Sequence, residues 1–261
     1  MHRFNGLVIG IVLLCVCWAM PAHATVDWED GFEYANDAAL GAVWAFSCLG
    51  NPGVSTERPH SGSKSLKLVY RGAVGKDPGA GGCFIDRNLN ALSDTAYFRV
   101  WTYQVNFAVN SVGTKMIQFA MNSSYPNFWW EMFSSTPNLS MAVSSTDPTS
   151  FNVFGGSIPQ NQWTCLEGRI TMNTPGVANG ILQSWVNGTQ QINRTDLLLR
   201  NATLTRQNGP NSRLEFTRLY VQHGVGTIFY DEYAVSRDAR IGCTASPSGD
   251  RQAPRAPSNL R

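Results

Sequence analysis

The sequence predicts an all-β protein with the architecture of a two-sheet antiparallel jelly-roll sandwich. Short apolar or alternating runs follow one another along the chain, separated by clusters of Gly, Pro, Asn and Ser, a pattern typical of sandwiches and barrels. No sustained helical period precedes residue 240. With 43% hydrophobic residues, this chain of 261 residues can bury a core, and all-β domains of about 200–250 residues commonly form one unit.

The N-terminus carries the pattern of a secretory signal. An apolar run from Leu7 to Trp18 follows a basic residue and precedes the small-residue pattern Ala22-His23-Ala24. The run is roughly 12 residues long, short of the ~20 that a membrane-spanning helix needs. We therefore predict a signal peptide over residues 1–24 and a secreted or periplasmic protein, with no membrane partner after cleavage. Lipidation at Cys15 or Cys17 is the alternative.

The charge balance gives no electrostatic reason to expect binding to nucleic acid or to a membrane surface. The formal net charge is +2. It falls to +1 without residues 1–24, because that segment contains one arginine and no acidic residue. A nearly neutral protein has no long-range attraction for polyanions. We expect no nucleic-acid partner, and we expect a monomer.

Four cysteines remain after residue 24: Cys48, Cys83, Cys165 and Cys243. An even number in an exported chain indicates two disulfides, with four free buried thiols as the alternative. No C-x-x-C pattern supports a zinc site. Sequence alone leaves three pairings open. Our working hypothesis pairs Cys48 with Cys83, and Cys165 with Cys243.

The apolar runs place nine strands within a domain of residues 25–243. They are Ser65–Arg71, Ala96–Phe107, Lys115–Met121, Phe128–Ser134, Ser140–Ser144, Trp163–Met172, Gly180–Val186, Arg213–Gln222 and Thr227–Ser236. The dipeptide Asn187-Gly188 predicts a type I′ hairpin turn. Residues 244–261 are polar, rich in proline and without periodicity, so we expect a disordered tail or linker there.

Several segments resemble the concanavalin A-like jelly roll of secreted carbohydrate-active proteins. Trp28–Glu33 with Trp44 resembles the opening strand of such domains. Ser61–Leu68 resembles the small-residue turn and second strand, and Phe229–Ser236 the last strand. These motifs indicate the fold more than any function.

A narrower resemblance, over Ala96–Ser236, is to the alginate- and glucuronan-lyase-like polysaccharide lyase families. Residues 113–117 (Gly-Thr-Lys-Met-Ile) resemble their Gly-Gly-Lys-Leu-type motif, and Asn173-Thr174-Pro175-Gly176 resembles their L-N-T-P-G run. The chain departs from those families at Met116-Ile117-Gln118, where they tend to have Leu-Pro-Gly, and at Asn187, where they have Asp. The resemblance implies a jelly roll that cleaves uronate-containing polysaccharide.

A lyase acting on a uronic acid must neutralise the C6 carboxylate, remove the C5 proton and protonate the leaving oxygen. The candidate catalytic residues are Lys115, Tyr103, Arg99 and His223, and the candidate substrate-binding residues are Trp129, Trp130, Gln118, Tyr220, Gln222 and Arg218. Period-2 alternation puts Arg99 and Tyr103 on one face of their strand. We expect Lys115 and Tyr103 to share one site on the concave sheet. For each candidate, plain solvation of a surface strand is the alternative.

Carboxylates suggest two further interpretations. Hydrolysis by a glycosidase usually needs a second carboxylate at a defined separation, and Glu131 lacks an E-x-D-x-E companion pattern. Asp30, Glu33 and Asp231 lie near the two ends of the domain, where first and last strands often meet. They are candidate oxygen ligands for a structural calcium ion. No cofactor is required for the expected chemistry.

The sequence therefore predicts a secreted jelly-roll protein whose partner is an extracellular polysaccharide. The leading hypothesis is a lyase-like domain that cleaves uronate-containing polymers by β-elimination. One alternative is a non-catalytic carbohydrate-binding module. Another is a structural or adhesion sandwich without a sugar site.

Overall fold

The computed structural model has two antiparallel sheets and almost no helix, which confirms the expected fold class. It describes residues 24–47, 52–71, 83–109, 114–121, 127–134, 139–145, 151–203, 209–221 and 224–244. The expected signal peptide, up to residue 23, and the tail from residue 245 lie outside these ranges. Within them, no helix has the length and apolar character needed to cross a membrane.

The elements follow one another as strands with one short helix. In chain order they are β1 (Val26–Asp30), α1 (Asp37–Gly41), β2 (Ala45–Ser47), β3 (Gly53–Ser55), β4 (Ser65–Arg71), β5 (Cys83–Ser93), β6 (Thr95–Val109), β7 (Thr114–Met121), β8 (Asn127–Ser134), β9 (Leu139–Ser145), β10 (Phe151–Ile158), β11 (Thr164–Thr171), β12 (Gly180–Val186), β13 (Thr189–Leu197), β14 (Leu214–Val221) and β15 (Gly224–Ser236). Asn36 caps α1 by accepting the Ala39 N–H.

The strands divide into two sheets. Sheet A has eight strands in the order β13-β12-β11-β6-β15-β4-β3, with β1 also pairing with β15. Sheet B has seven strands in the order β10-β9-β8-β7-β14-β5-β2. The chain crosses between the sheets several times, among them from β6 in sheet A to β7 in sheet B and from β14 in sheet B to β15 in sheet A. Consecutive strands lie in different layers at these crossings, whereas β7 to β10 follow one another within sheet B and β11 to β13 within sheet A.

The core lies between the two sheets and is built on aromatic side chains. Trp130 of sheet B packs edge-on against Phe98 of sheet A, with 4.8 Å between ring centroids. Its indole N–H donates to Ser184 Oγ at 2.6 Å. Gly168 on β11 makes this possible, because a Cβ there would lie 2.2 Å from the Phe98 ring and 2.6 Å from the Trp130 ring.

All nine expected strands are present, with ends that shift by up to three residues. The expected hairpin is also present. Asn187 and Gly188 both have positive φ, 48° and 80°, as a type I′ turn requires. The Asn187 side chain fixes the turn by accepting the Cys165 N–H at 2.9 Å.

The structure adds strands that the sequence patterns did not indicate, notably β5 and β13. In β5, Arg87 occupies an inward position and lies 4.4 Å from the centroid of the Trp28 ring, so a charged residue interrupts the apolar alternation. In β13 most side chains are exposed, because the strand forms the edge of sheet A. Neither strand carries the alternation that sequence analysis depends on.

Candidate functional site

A row of polar side chains crosses the outer face of sheet B, the face turned away from sheet A. Arg218 on β14 lies opposite Asp86 on β5 and opposite Gln118 on β7. Their chain neighbours Ile85, Ile117 and Leu219 are fully buried in the core. Because successive residues of a strand face opposite ways, Asp86, Arg218 and Gln118 project from the outer face. We call this row, with Tyr220, the β14 site.

Arg218 is the centre of the β14 site. Its Nε and Nη2 atoms donate to the two carboxylate oxygens of Asp86, and the Nη2 bond is 2.6 Å long. Its Nη1 atom donates to the phenol oxygen of Tyr220 at 2.6 Å. The guanidinium carbon lies 3.8 Å from the ring centroid of Phe84 and 5.4 Å from that of Phe216. The arginine is thus held on several sides, with limited freedom to reorient.

Tyr220 carries a phenol suited to proton donation. Burial raises its pKa above the usual value, the adjacent Arg218 lowers it in part, and the charge of Asp86 raises it again. The phenol is therefore protonated at neutral pH. A neutral phenol that already accepts a hydrogen bond from an arginine can give its proton to a leaving oxygen while the arginine stabilises the phenolate.

Gln118 is 3% exposed, yet its side-chain oxygen finds no hydrogen-bond donor among the described residues. A buried amide oxygen without a donor costs free energy, on the order of 1–3 kcal/mol. This oxygen lies on the strand next to Arg218, so the β14 site contains a buried acceptor to which no described residue donates.

Lys115 and Glu131 lie opposite each other where β7 and β8 pair. Glu131 is buried, and Lys115 is half-buried. Their strand neighbours Trp130 and Met116 are in the core. Lys115 therefore shares sheet B with Arg218 and Gln118.

The expected pairing of Lys115 with Tyr103 in one site is wrong. Tyr103 and Arg99 lie on β6 in sheet A, whereas Lys115 lies on β7 in sheet B. The core residues Phe98 and Val100 alternate with Arg99 along β6, so Arg99 and Tyr103 project from the outer face of sheet A. The whole core separates them from Lys115. The alternation correctly placed Arg99 and Tyr103 on one face of β6. However, the chain crosses from sheet A to sheet B between β6 and β7, so that face is not the one that carries Lys115.

Arg99 and Tyr103 make structural contacts instead. Arg99 is 1% exposed and forms ion pairs with Glu29 and Glu232. The Tyr103 hydroxyl accepts a hydrogen bond from Arg58 at 3.1 Å, and its ring packs edge-on against Trp163. These contacts hold neighbouring chain segments against the outer face of sheet A.

The expectation that Trp130 binds substrate is also wrong, because this residue lies in the core and is 1% exposed. The backbone of Trp129 pairs with Gln118 across β7 and β8, but its side chain lies outside the described residues. Gln222 and His223 lie outside them as well. The sugar contact by Trp129 and the roles of Gln222 and His223 stay predictions.

The three carboxylates expected to bind calcium do not converge. Asp30 accepts hydrogen bonds from Tyr34, Trp44 and the Phe32 N–H. In contrast, the Glu33 carboxylate accepts the N–H groups of residues 63 and 64, and Asp231 those of residues 60 and 61. Among the described residues, the one cluster with metal-ligand spacing is Cys165, Glu167 and Cys243. Calcium binding stays a prediction, which a melting curve in excess chelator would test.

Cys165 and Cys243 form a disulfide, the pairing of the working hypothesis. Because their sulfur atoms are bonded to each other, neither cysteine is a free thiolate that could bind a metal together with Glu167. Cys48 lies outside the described residues, as does the side chain of Cys83. The pairing of Cys48 with Cys83 stays a prediction.

Asp86 and the aromatic residues around Arg218 are the parts of the site that sequence reasoning missed. Asp86 lies on β5, a strand that the apolar pattern did not reveal. The sequence feature that could have pointed to this strand is an aromatic and an acidic residue, Phe84 and Asp86, two positions apart just after Cys83.

The fold and the β14 site define a class: a jelly-roll sandwich with an arginine–tyrosine pair on the outer face of one sheet. Residues 136–211 match the family model described as polysaccharide lyase 14. This match confirms the resemblance to the polysaccharide lyase families. A search of the curated proteins found no significant match.

Solved structures of similar fold include three carbohydrate-related proteins. The marine PL-14 alginate lyase from Aplysia kurodai aligns with a TM-score of 0.61 at 14% identity, covering 82% of this chain and 100% of that one. An endo-β-1,4-glucuronan lyase from the fungus Trichoderma reesei gives 0.58 at 12%, covering 82% and 96%. The cellulose-induced protein Cip1 gives 0.55 at 17%, covering 83% and 99%. At these identities the likeness demonstrates the fold.

Proposed function

We propose that this chain is a secreted polysaccharide lyase that cleaves uronate-containing polymers by β-elimination at the β14 site. The observation that carries the proposal is the Arg218–Tyr220 pair, in which an arginine Nη1 atom lies 2.6 Å from a phenol oxygen. The family match over residues 136–211 supports the reaction class. The signal pattern of residues 1–24 supports export.

The residues of the β14 site divide the reaction among them. Arg218 and Gln118 bind the uronate, with Arg218 directed at the C6 carboxylate and the Gln118 oxygen at a hydroxyl. Neutralising the carboxylate makes the C5 proton more acidic. A base takes that proton, the C5–H electrons form the C4–C5 double bond, and the C4–O bond breaks. Tyr220 gives its proton to the departing oxygen.

The candidate bases are Lys115, on the same sheet, and His223. A lysine base must lose its proton at working pH, so its pKa must be low. If Lys115 instead neutralises the carboxylate, Lys115→Arg is tolerated better than Lys115→Ala. This pair of variants separates the two roles by their turnover rates.

A non-catalytic carbohydrate-binding module is the second candidate function. Phe84, Phe216 and Tyr220 surround the Arg218 guanidinium, and aromatic rings beside polar groups also suit sugar binding without cleavage. Binding without turnover on any polymer would favour this module.

The test is a turnover assay on a panel of polyuronates, following the ultraviolet absorbance of the unsaturated product. Two tyrosine variants form a matched pair: Tyr220→Phe at the β14 site and Tyr103→Phe on the opposite face. We expect Tyr220→Phe to lose about 10²-fold or more in rate, as general acid catalysis predicts. We expect Tyr103→Phe to retain the wild-type rate.

Two outcomes would contradict the proposal. Wild type inactive on every polyuronate would leave the binding module as the function. A Tyr220→Phe variant with unchanged rate and intact folding would remove the phenol from the mechanism. Circular dichroism of both variants controls for folding.

A further inference from the structure

Asp86 is the acidic partner of the β14 site, and its geometry is that of a clamp. Both of its carboxylate oxygens accept hydrogen bonds from the same edge of the Arg218 guanidinium, at Nε and Nη2. A bidentate pair of this kind fixes the plane of the guanidinium as well as its position. The two residues lie directly opposite each other on β5 and β14, so the clamp is built into the sheet register.

This clamp determines where the rest of the arginine points. With Nε and Nη2 engaged by Asp86, Nη1 is directed to the phenol oxygen of Tyr220. The remaining N–H bonds of the five on an arginine lie on Nη1 and Nη2, at the end of the side chain where a carboxylate can be bound. An arginine free to rotate would not hold both partners at once.

Asp86 also contributes to the electrostatics of the phenol, although burial is the main cause of the raised Tyr220 pKa. A guanidinium alone beside Tyr220 would favour the phenolate, because a positive charge stabilises the ionised form. The carboxylate on the far edge of the same guanidinium offsets that charge. Tyr220 itself is 7% exposed, so solvent screens these charges only weakly.

We propose that Asp86 is a positioning residue, which orients Arg218 toward Tyr220 so that the phenol can give its proton to the leaving oxygen. This inference rests on the proposed lyase function for its catalytic consequence. Asp86 itself touches no reacting atom. It acts through Arg218.

The experiment compares Asp86→Asn with wild type and with a matched control, Asp196→Asn. Asp196 also accepts two hydrogen bonds from one arginine, Arg194, at 2.7 and 2.9 Å, but it lies on β13 at the edge of sheet A. The readouts are kcat and KM across pH, and a spectroscopic titration of tyrosine in which Tyr220→Phe identifies the Tyr220 signal. Asp86→Glu serves as the charge-conserving variant.

In Asp86→Asn, we expect the Tyr220 phenol to ionise at lower pH and the alkaline limb of kcat to move with it. We expect kcat to fall about 10-fold while KM changes less than about threefold. This is the pattern expected when an interaction made only in the transition state is lost. Asp86→Glu should move the alkaline limb back toward wild type, and Asp196→Asn should change neither readout.

The outcomes separate this inference from the proposed function. An active wild type with an unshifted titration and pH profile in folded Asp86→Asn would overturn the positioning role and leave the lyase intact. A wild type without activity, but with a Tyr220 titration that shifts in Asp86→Asn, would support the clamp and overturn the lyase. A melting temperature for each variant confirms that the comparison is between folded proteins.

Discussion

The outer faces of the two sheets carry similar residues in different settings. On sheet A, Arg99 is enclosed by Glu29 and Glu232, and His60 stacks on Trp101 at 3.8 Å. On sheet B, the Arg218 side chain keeps 17% of its surface exposed. Arg99 on the first face is enclosed, whereas Arg218 on the second keeps partial exposure beside the buried side chains of Gln118 and Tyr220. The same residue types stabilise the fold on one side and form the candidate site on the other.

The C-terminal segment contributes to the covering of sheet A. Glu167 on β11 is 1% exposed and accepts hydrogen bonds from Arg240 at 3.0 and 2.5 Å and from the Gly242 N–H at 2.8 Å. The Arg240 guanidinium lies over the Trp185 ring. The disulfide then fixes Cys243 beside this carboxylate. A buried acid, an arginine and a disulfide together hold the segment in place.

The largest effect expected concerns this disulfide. The bond joins residues separated by 78 positions. In the chain-entropy model, closing a loop of that length stabilises the fold by about 4 kcal/mol. We expect the double variant Cys165→Ser and Cys243→Ser to lose most of that in urea unfolding while its turnover rate at the β14 site is kept. Loss of activity in a variant that is still folded would break the distinction between the two faces.

The second effect contrasts the two arginines. Arg99→Met removes the cation beside Glu29 in a covered site, while Glu232 keeps its contact with His60, and removing one partner of a buried pair costs about 3–5 kcal/mol. Arg218→Met removes a pair whose two side chains keep 17% and 26% of their surface exposed, so we expect a smaller loss than for Arg99→Met. Urea unfolding measures both. In turnover the order reverses, with Arg218→Met the inactive variant. Equal stability losses would mean that both arginines are structural.

The third effect is a pH dependence that originates on sheet A. Burial raises the pKa of Asp231 to about 7, although backbone N–H groups of His60, Ser61 and Glu232 lower it in part. A raised carboxyl pKa contributes stability in the protonated form, and that stability is lost as the pH rises through 7. We expect the free energy of unfolding to fall by about 1 kcal/mol between pH 6 and pH 8.

The control for this pH dependence is Asp231→Asn, which cannot titrate. His60 and Glu232 lie in contact with each other beside Asp231, and the variant separates their contribution from that of Asp231. An unchanged slope in Asp231→Asn would assign the pH dependence to its neighbours.

The smallest effect concerns the expected cleavage after Ala24. The Thr25 nitrogen lies 3.1 and 3.2 Å from the two carboxylate oxygens of Asp238. Cleavage would turn this nitrogen into an ammonium group with enough protons for both oxygens. We expect Asp238→Asn to lower the melting temperature slightly in a chain that begins at Thr25. In a chain extended by residues ahead of Thr25, where this nitrogen is an amide with one proton, the effect should be smaller. An equal effect in both chains would show that the free terminus adds nothing.

Local patterns predicted much of this protein because they depend on near neighbours. The alternation along β6 placed Arg99 and Tyr103 on one face, and the structure agrees. The dipeptide Asn187-Gly188 predicted its turn, since only residues that tolerate positive φ fit there. By contrast, β5 was hidden by Arg87, an inward-facing charge that the Trp28 ring covers and that lies 3.8 Å from Asp30 Oδ2.

The sequence by itself determined nine of the strands, the two faces of those strands and the resemblance to polysaccharide lyases. The strands and their faces follow from period-2 alternation and turn residues, which are local properties of the chain, and the resemblance rests on short motifs such as Asn173-Thr174-Pro175-Gly176. Only the tertiary structure decided that Lys115 and Tyr103 lie on opposite faces, that Trp130 is core, and that Asp86 joins Arg218 and Tyr220. Those facts depend on which sheet each strand enters and on pairings between residues up to 132 positions apart, and no local pattern encodes them.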